Sequence, residues 1–205
     1  MNDLHKALGD ITSMRRQMAR ATEFRGYGPA TLASTGLIAM LAALAQQFAV
    51  RDPATHIAVY LGIWMTTGAL SAGLIGTQMV TRAYRVHSGM ADEMIRMAVE
   101  QFLPAAGAGA LLTLVLINRA PGSIWMLPGL WQVIFSIGVF SSCRFLHKWM
   151  LVAGAWYLAV GLTVLGIGDL RALAPWTMGV AFGVGQLLVA AVLALNGGAE
   201  QKGSR

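Results

Sequence analysis

An all-α integral membrane protein, a six-transmembrane-helix bundle with an N-terminal amphipathic surface helix, is the fold class this sequence predicts, and three observations predict it. The 205 residues are 56% apolar and only 12% charged, with a mean hydropathy of +0.60. Soluble domains are about 45–50% apolar and about 25% charged. Apolar runs consume nearly the whole chain, and most approach the roughly 20 residues needed to cross a hydrocarbon core about 30 Å thick. Lysine and arginine gather on alternate connections between those runs, as the threading of a multi-pass chain requires.

The elements follow in order. Through residues 3–22, Leu4, Ala7, Leu8, Ile11, Met14 and Met18 recur at spacings of three and four, with Lys6, Asp10, Arg15, Arg16 and Arg20 on other faces. That is the pattern of a helix lying on a membrane surface or against a bundle. Gly26 and Gly28 free the backbone and Pro29 suits the first turn of a new helix, so residues 1–29 read as a cytoplasmic amphipathic helix and elbow. Residues 30–195 are the six-helix membrane domain, with spans at about 30–50, 57–80, 97–117, 127–145, 149–168 and 174–195. Residues 196–205 are a polar cytoplasmic tail.

Three spans carry further detail. In the second, Gly68, Ser71, Ala72 and Gly73 make a small-residue face that admits another helix closely. The third apolar run, Leu103 to Ile117, is too short to cross alone, so its helix is expected to begin upstream near Met97, with Glu100 at the interface. In the sixth, Gly179 and Gly183 stand at helix-packing spacing.

Charge sets the threading. With a cytoplasmic N-terminus, that side receives Lys6, Arg15, Arg16, Arg20 and Arg25, then Arg82, Arg85, Arg96, Arg144 and Lys148, and finally Lys202 and Arg205. The other side receives only Arg51, Arg119 and Arg171. Both termini are therefore expected in the cytoplasm. Trp125, Trp131 and Trp176 then fall at the outer interface and Trp149 at the inner one, where an aromatic belt belongs. The chain has the look of small membrane proteins of GC-rich bacteria, and the expected location is the bacterial inner (cytoplasmic) membrane. The N-terminus lacks the apolar core and cleavage site of a signal peptide, so the first apolar run is expected to be retained.

A net charge of +6 points to anionic lipid headgroups on the cytoplasmic side rather than to nucleic acid, because the basic residues flank apolar spans and do not alternate with aromatics. Arg82, Arg85, His87, Arg144, His147 and Lys148 are the expected headgroup contacts. Cys143 is the sole cysteine, which excludes an intrachain disulfide and a cysteine-cluster metal site.

A loose repeat runs through the chain. Trp64, Trp131 and Trp176 are each followed by a glycine, at Gly68, Gly138 and Gly179, and Met14 with Met18 parallels Met94 with Met97 ahead of a membrane hairpin. Three helical hairpins in the same direction would result, unlike the inverted repeats of many transporters.

Chemistry is thin. No ionisable residue falls in the middle of a span, where proton relays and ion sites are found. Asp92, Glu93 and Glu100 lie in or beside the long polar interval 81–102, and Asp52 and Asp169 in outer loops. His5, His56, His87 and His147 have no histidine three or four residues away, so neither haem nor metal is expected, and the cofactor expectation is none. Ser-His-Asp, HExxH, Cys-x-x-Cys and phosphate-loop arrangements are lacking, so no catalytic residue is expected. Thr66, Thr67, Gln132, Ser136 and Gln186 could line a polar cavity within the spans.

The first functional expectation is a non-catalytic accessory or regulatory subunit. Its partner-binding surface would be the stripes Leu4, Leu8, Ile11, Met14 and Met18, and Met90, Met94 and Met97, since methionine makes adaptable contact surfaces. A protein partner or a homo-oligomer is expected. The alternative is a facilitator or channel for a small solute, and a more distant one is a lipid-modifying enzyme using His87, Asp92, Glu93 and His147.

Overall fold

The computed structural model describes residues 28–53, 55–86, 91–142 and 150–203. Six α-helices run in order among them: α1 (Pro29–Ala49), α2 (Ile57–Val86), α3 (Ala91–Arg119), α4 (Leu127–Ser142), α5 (Met150–Ile167) and α6 (Pro175–Gly203). Short 3₁₀ helices at Pro121–Met126 and Leu170–Leu173 precede α4 and α6, and no strand occurs among the described residues. Six helices are long and apolar enough to cross a membrane, which is the architecture of a multi-pass membrane protein. The N-terminal stripe Leu4, Leu8, Ile11, Met14 and Met18 lies outside the described residues, as do His87, Met90, Arg144, His147 and Lys148.

Local chemistry sets the helix ends. Pro29 opens α1 with its ring where no helical N–H is needed. The Gly28 amide donates instead to Gln78 Oε1 of α2 at 2.8 Å, so the start of the first helix is capped by a residue fifty positions away. Helix α3 begins at Ala91, well before its apolar window of Phe102–Arg119. Pro104 sits inside it and leaves the Glu100 carbonyl without its helical donor. Gly168, at φ +74°, takes the left-handed conformation that ends α5.

Neighbours in sequence are neighbours in space, and α6 returns against α1, so the six helices close a ring. Two seams are the tightest, and both are made where glycine lets backbones meet. Between α4 and α5, a Cβ on Gly129 would lie 2.8 Å from the Gly161 carbonyl oxygen, and one on Gly161 would lie 2.9 Å from that of Gly129. Between α1 and α6, a Cβ on Gly36 would lie 3.0 Å from the Gly183 carbonyl oxygen, while Gly179 faces Ala43 and Gly183 faces Met40. Close van der Waals packing of this kind holds helices together where surrounding lipid removes the hydrophobic drive.

The other side of the ring is loose. Only 11% of the residues in the apolar windows of α2 and of α3 are buried, against 33–44% for the other four spans. Along α2, Gly62, Gly68, Gly73 and Gly76 all face open space.

Replacing Gly161 by Val should therefore lower stability by about 1–3 kcal/mol through overpacking against backbone, whereas Gly76→Ala, with open space for its methyl, should not lower it and should raise it by up to about 1 kcal/mol through helix propensity. Thermal unfolding of the purified chain in detergent or nanodiscs measures both.

Candidate functional site

Buried polar side chains gather at the end of the bundle where α1, α2, α4, α6 and the second 3₁₀ helix meet. Gln46, fully buried on α1, donates from Nε2 to the Leu173 carbonyl at 2.8 Å and accepts from Trp64 Nε1 of α2 at 2.7 Å. Thr177 Oγ1 donates to the carbonyls of Ala172 and Ala174 at 2.8 and 2.7 Å, closing the turn into α6. Gln132 Nε2 of α4 donates to the Thr177 carbonyl at 2.9 Å and approaches Met178 Sδ at 3.7 Å. Four helices are thus tied by amide groups that would otherwise be unpaired in an apolar interior.

Tryptophans pin the hairpins. Trp64 bonds Gln46, and Trp131 Nε1 donates to Thr113 Oγ1 of α3 at 2.8 Å. Each bond spans 18 residues, and the position four before each acceptor is small, Ala42 and Gly109. In the third hairpin the order reverses, because Trp156 of α5 donates to the Ala181 carbonyl of α6 at 3.0 Å. Trp176, matched with Trp64 and Trp131 in the sequence pattern, is 56% exposed on the first turn of α6.

The five polar residues expected to line one cavity fall in two places. Thr66 and Thr67 border a groove of about 580 Å³ between α1 and α2, lined also by Ile38, Leu41, Ala42, Ala45, Val59, Gly62 and Ile63. Thr67 Oγ1 donates to the Ile63 carbonyl at 2.8 Å. Gln132, Ser136 and Gln186 are buried inside the bundle instead, and Ser136 Oγ donates to the Val133 carbonyl at 2.6 Å. Beside them Phe135 packs edge-on against Phe102, Tyr157 and Phe182, with centroids 4.7–5.5 Å apart. Among the described residues, Tyr60 OH, Gln132 Oε1, Tyr157 OH and Gln186 Oε1 are buried without a hydrogen bond of good geometry, and the Tyr157 and Gln186 side chains lie within reach of each other.

The apolar window of α2 ends at Arg82 and the helix continues through Arg85 to Val86, while α3 carries an exposed Arg96–Glu100 pair at 3.7 Å ahead of its own window. Arg82 and Arg85 are exposed. Met94 and Met97 fall on α3, with side chains outside the described set. At the opposite end, Asp169 accepts from the Arg171 amide and guanidinium, at 2.8 and 2.9 Å. The Arg171 side-chain hydrogen bond, first, then its amide, holds the Asp169 carboxyl below the usual carboxylate range. The pair's contribution is therefore present at neutral pH and lost as acid protonates Asp169; full exposure makes it small. No group of three or more His, Cys, Asp or Glu is placed to hold a metal among the described residues.

Sequence reading passed over Tyr60, Tyr157 and Gln46 as members of this interior. The available signal was a hydroxyl or amide inside an otherwise apolar window. No protein-family model, curated protein or solved structure matches the chain.

Gln46→Leu removes two hydrogen bonds at once and leaves the Leu173 carbonyl and Trp64 Nε1 unpaired, so a loss of about 1–3 kcal/mol is expected. Trp64→Phe should cost less in that background than in the wild type, a coupling read from a double-mutant cycle of thermal unfolding.

Proposed function

We propose that this chain is a non-catalytic accessory or regulatory subunit of a bacterial inner membrane, with both termini cytoplasmic, that binds a protein partner through its cytoplasmic amphipathic helices. One observation carries this reading: α2 and α3 are helical beyond their apolar windows, through Val86 and from Ala91. Arg82, Arg85, Arg96 and Glu100 thereby stand on ordered helix where anionic headgroups and a partner would be met. Met94 and Met97 share that stretch, and Leu4, Leu8, Ile11, Met14 and Met18 repeat the same apolar chemistry at the N-terminus. The positive-inside distribution, with only Arg51, Arg119 and Arg171 opposite, supports the threading.

A second reading, a facilitator for a small neutral solute, is favoured by Gln132 Oε1, Tyr157 OH and Gln186 Oε1, buried in the bundle interior without a hydrogen bond of good geometry. Such atoms call for hydrogen-bond donors or acceptors, of which water is the simplest.

Two measurements test these readings. In a Cys143→Ser background, an impermeant thiol reagent applied to intact cells should label Thr55→Cys and spare Arg85→Cys; the reverse pattern would overturn the threading. A photoreactive residue at position 85 should capture one discrete protein in cells, and deletion of residues 3–22 should abolish that adduct without affecting insertion. If instead the adduct never forms while reconstituted vesicles pass a small solute and Gln132→Leu with Gln186→Leu blocks it, the facilitator reading stands.

A further inference from the structure

Among the described residues, two hydrogen bonds of unequal security fasten α2 to α1, one towards each end of α2. Near its start, Trp64 Nε1 donates to Gln46 Oε1, and Gln46 is itself tied to the Leu173 carbonyl. Trp64 is 4% exposed and Gln46 is fully buried, so water cannot take the place of that bond. Near the far end, one part-buried bond runs from the Gly28 amide to Gln78 Oε1 at 2.8 Å. Gly28 lies ahead of the first turn of α1, so its N–H has no helical acceptor of its own. A Cβ at Gly28 would run into the Gln78 amide, so glycine is what lets the two meet. Between these fastenings α2 holds little: Met65, Leu70 and Leu74 are exposed, and Gly68 and Gly73 face open space. At the far end Met79 is buried and Ile75 packs against the cluster of Leu32, Met150, Ala153, Val189 and Ala190. Lipid tails offer such apolar side chains equivalent surroundings, so these contacts oppose separation weakly.

We propose that Gln78 and Gly28 form a latch. Closed, it holds the far end of α2 against the start of α1; open, it lets that end swing out about the Trp64–Gln46 pin and lifts Ile75 from the cluster beneath it. Three observations together carry this. The pin is shielded and tied twice, whereas the latch is a single bond that water at a helix end can replace. The apolar window of α2 is 11% buried, against 33% for α1, so little packing resists the motion. The end that moves carries Arg82 and Arg85, both exposed, about one and two turns beyond Gln78. The trigger rests on the accessory reading above: a partner that grips Arg82 and Arg85 better in one position shifts the latch by its difference in affinity for the two. The latch itself does not need that reading.

The test uses the full-length chain in lipid nanodiscs, with no partner added, in a Cys143→Ser background. Spin labels at Val80→Cys and Leu151→Cys report across the latch end, and in a separate sample labels at Val59→Cys and Leu162→Cys report across the pin end; all four positions are exposed. Gln78→Leu removes the acceptor and Gly28→Ala displaces it. Each should raise the longer-distance fraction of the first pair by about 2–10-fold, the weight of one hydrogen bond, and leave the second pair unchanged. Gln78→Glu keeps an acceptor oxygen and should match the wild type. A first pair indifferent to both substitutions overturns the latch. So does equal broadening of both pairs, which is general loosening, and so does a Gln78→Glu chain that behaves as Gln78→Leu. With no partner present these outcomes bear on the latch alone, while capture at position 85 bears on the accessory reading.

Discussion

Helices surrounded by hydrocarbon gain nothing from hiding apolar surface, because lipid tails are as apolar as leucine; what holds them is how closely their backbones can approach. In this chain that approach depends on glycine facing backbone. Gly129 and Gly161 leave each other's carbonyls within reach of where a side chain would be, and Gly36 and Gly183 do the same between the first and last helices. The closed ring follows from these two seams. Because α6 lies against α1, the Leu173 carbonyl meets Gln46, and because α6 also touches α4, the Thr177 carbonyl meets Gln132. The amide network is then a consequence of glycine placement as much as a cause of stability.

The same constraint explains the asymmetry of the ring. Where no neighbour presents backbone, as along Gly62, Gly68, Gly73 and Gly76 of α2, glycine leaves bare surface and a shallow groove. The tight glycine seams lie on one side of the molecule, and α2 with α3 is the side whose apolar windows are least buried. The accessory role proposed above draws on this division.

Sequence reading reached the six apolar windows because each is a run of one chemistry, and it expected α3 to start upstream near Met97 because fifteen apolar residues are too few to cross; the helix starts six residues earlier, at Ala91. It also marked Gly179 and Gly183, which do sit in a seam, and Gly68 and Gly73, which face nothing. Both pairs belong to clusters of small residues inside apolar runs. Their difference lies in whether another helix is opposite, which spacing along one strand of text does not encode. Thr66 and Gln132 were grouped for the same reason, as polar residues in apolar runs, although one borders an outer groove and the other is buried among α4, α5 and α6. The Trp64 and Trp131 match proved to have a shared geometry, the 18-residue pin. Trp176, grouped with them for the glycine that follows it, is exposed on the first turn of α6.

The closed ring rests on the return of α6 against α1, a contact between residues 150 positions apart at Gly36 and Gln186, where a Cβ on Gly36 would lie 3.2 Å from the Gln186 Cβ. Disulfides need Cβ atoms about 3.5–4.5 Å apart, within a small adjustment of that distance. The most direct measurement is oxidation of the Gly36→Cys, Gln186→Cys variant without Cys143, carrying a protease site in the 143–149 connection. The closed ring predicts that the two halves remain joined after cleavage until a reductant is added. Halves that separate without reduction would contradict it.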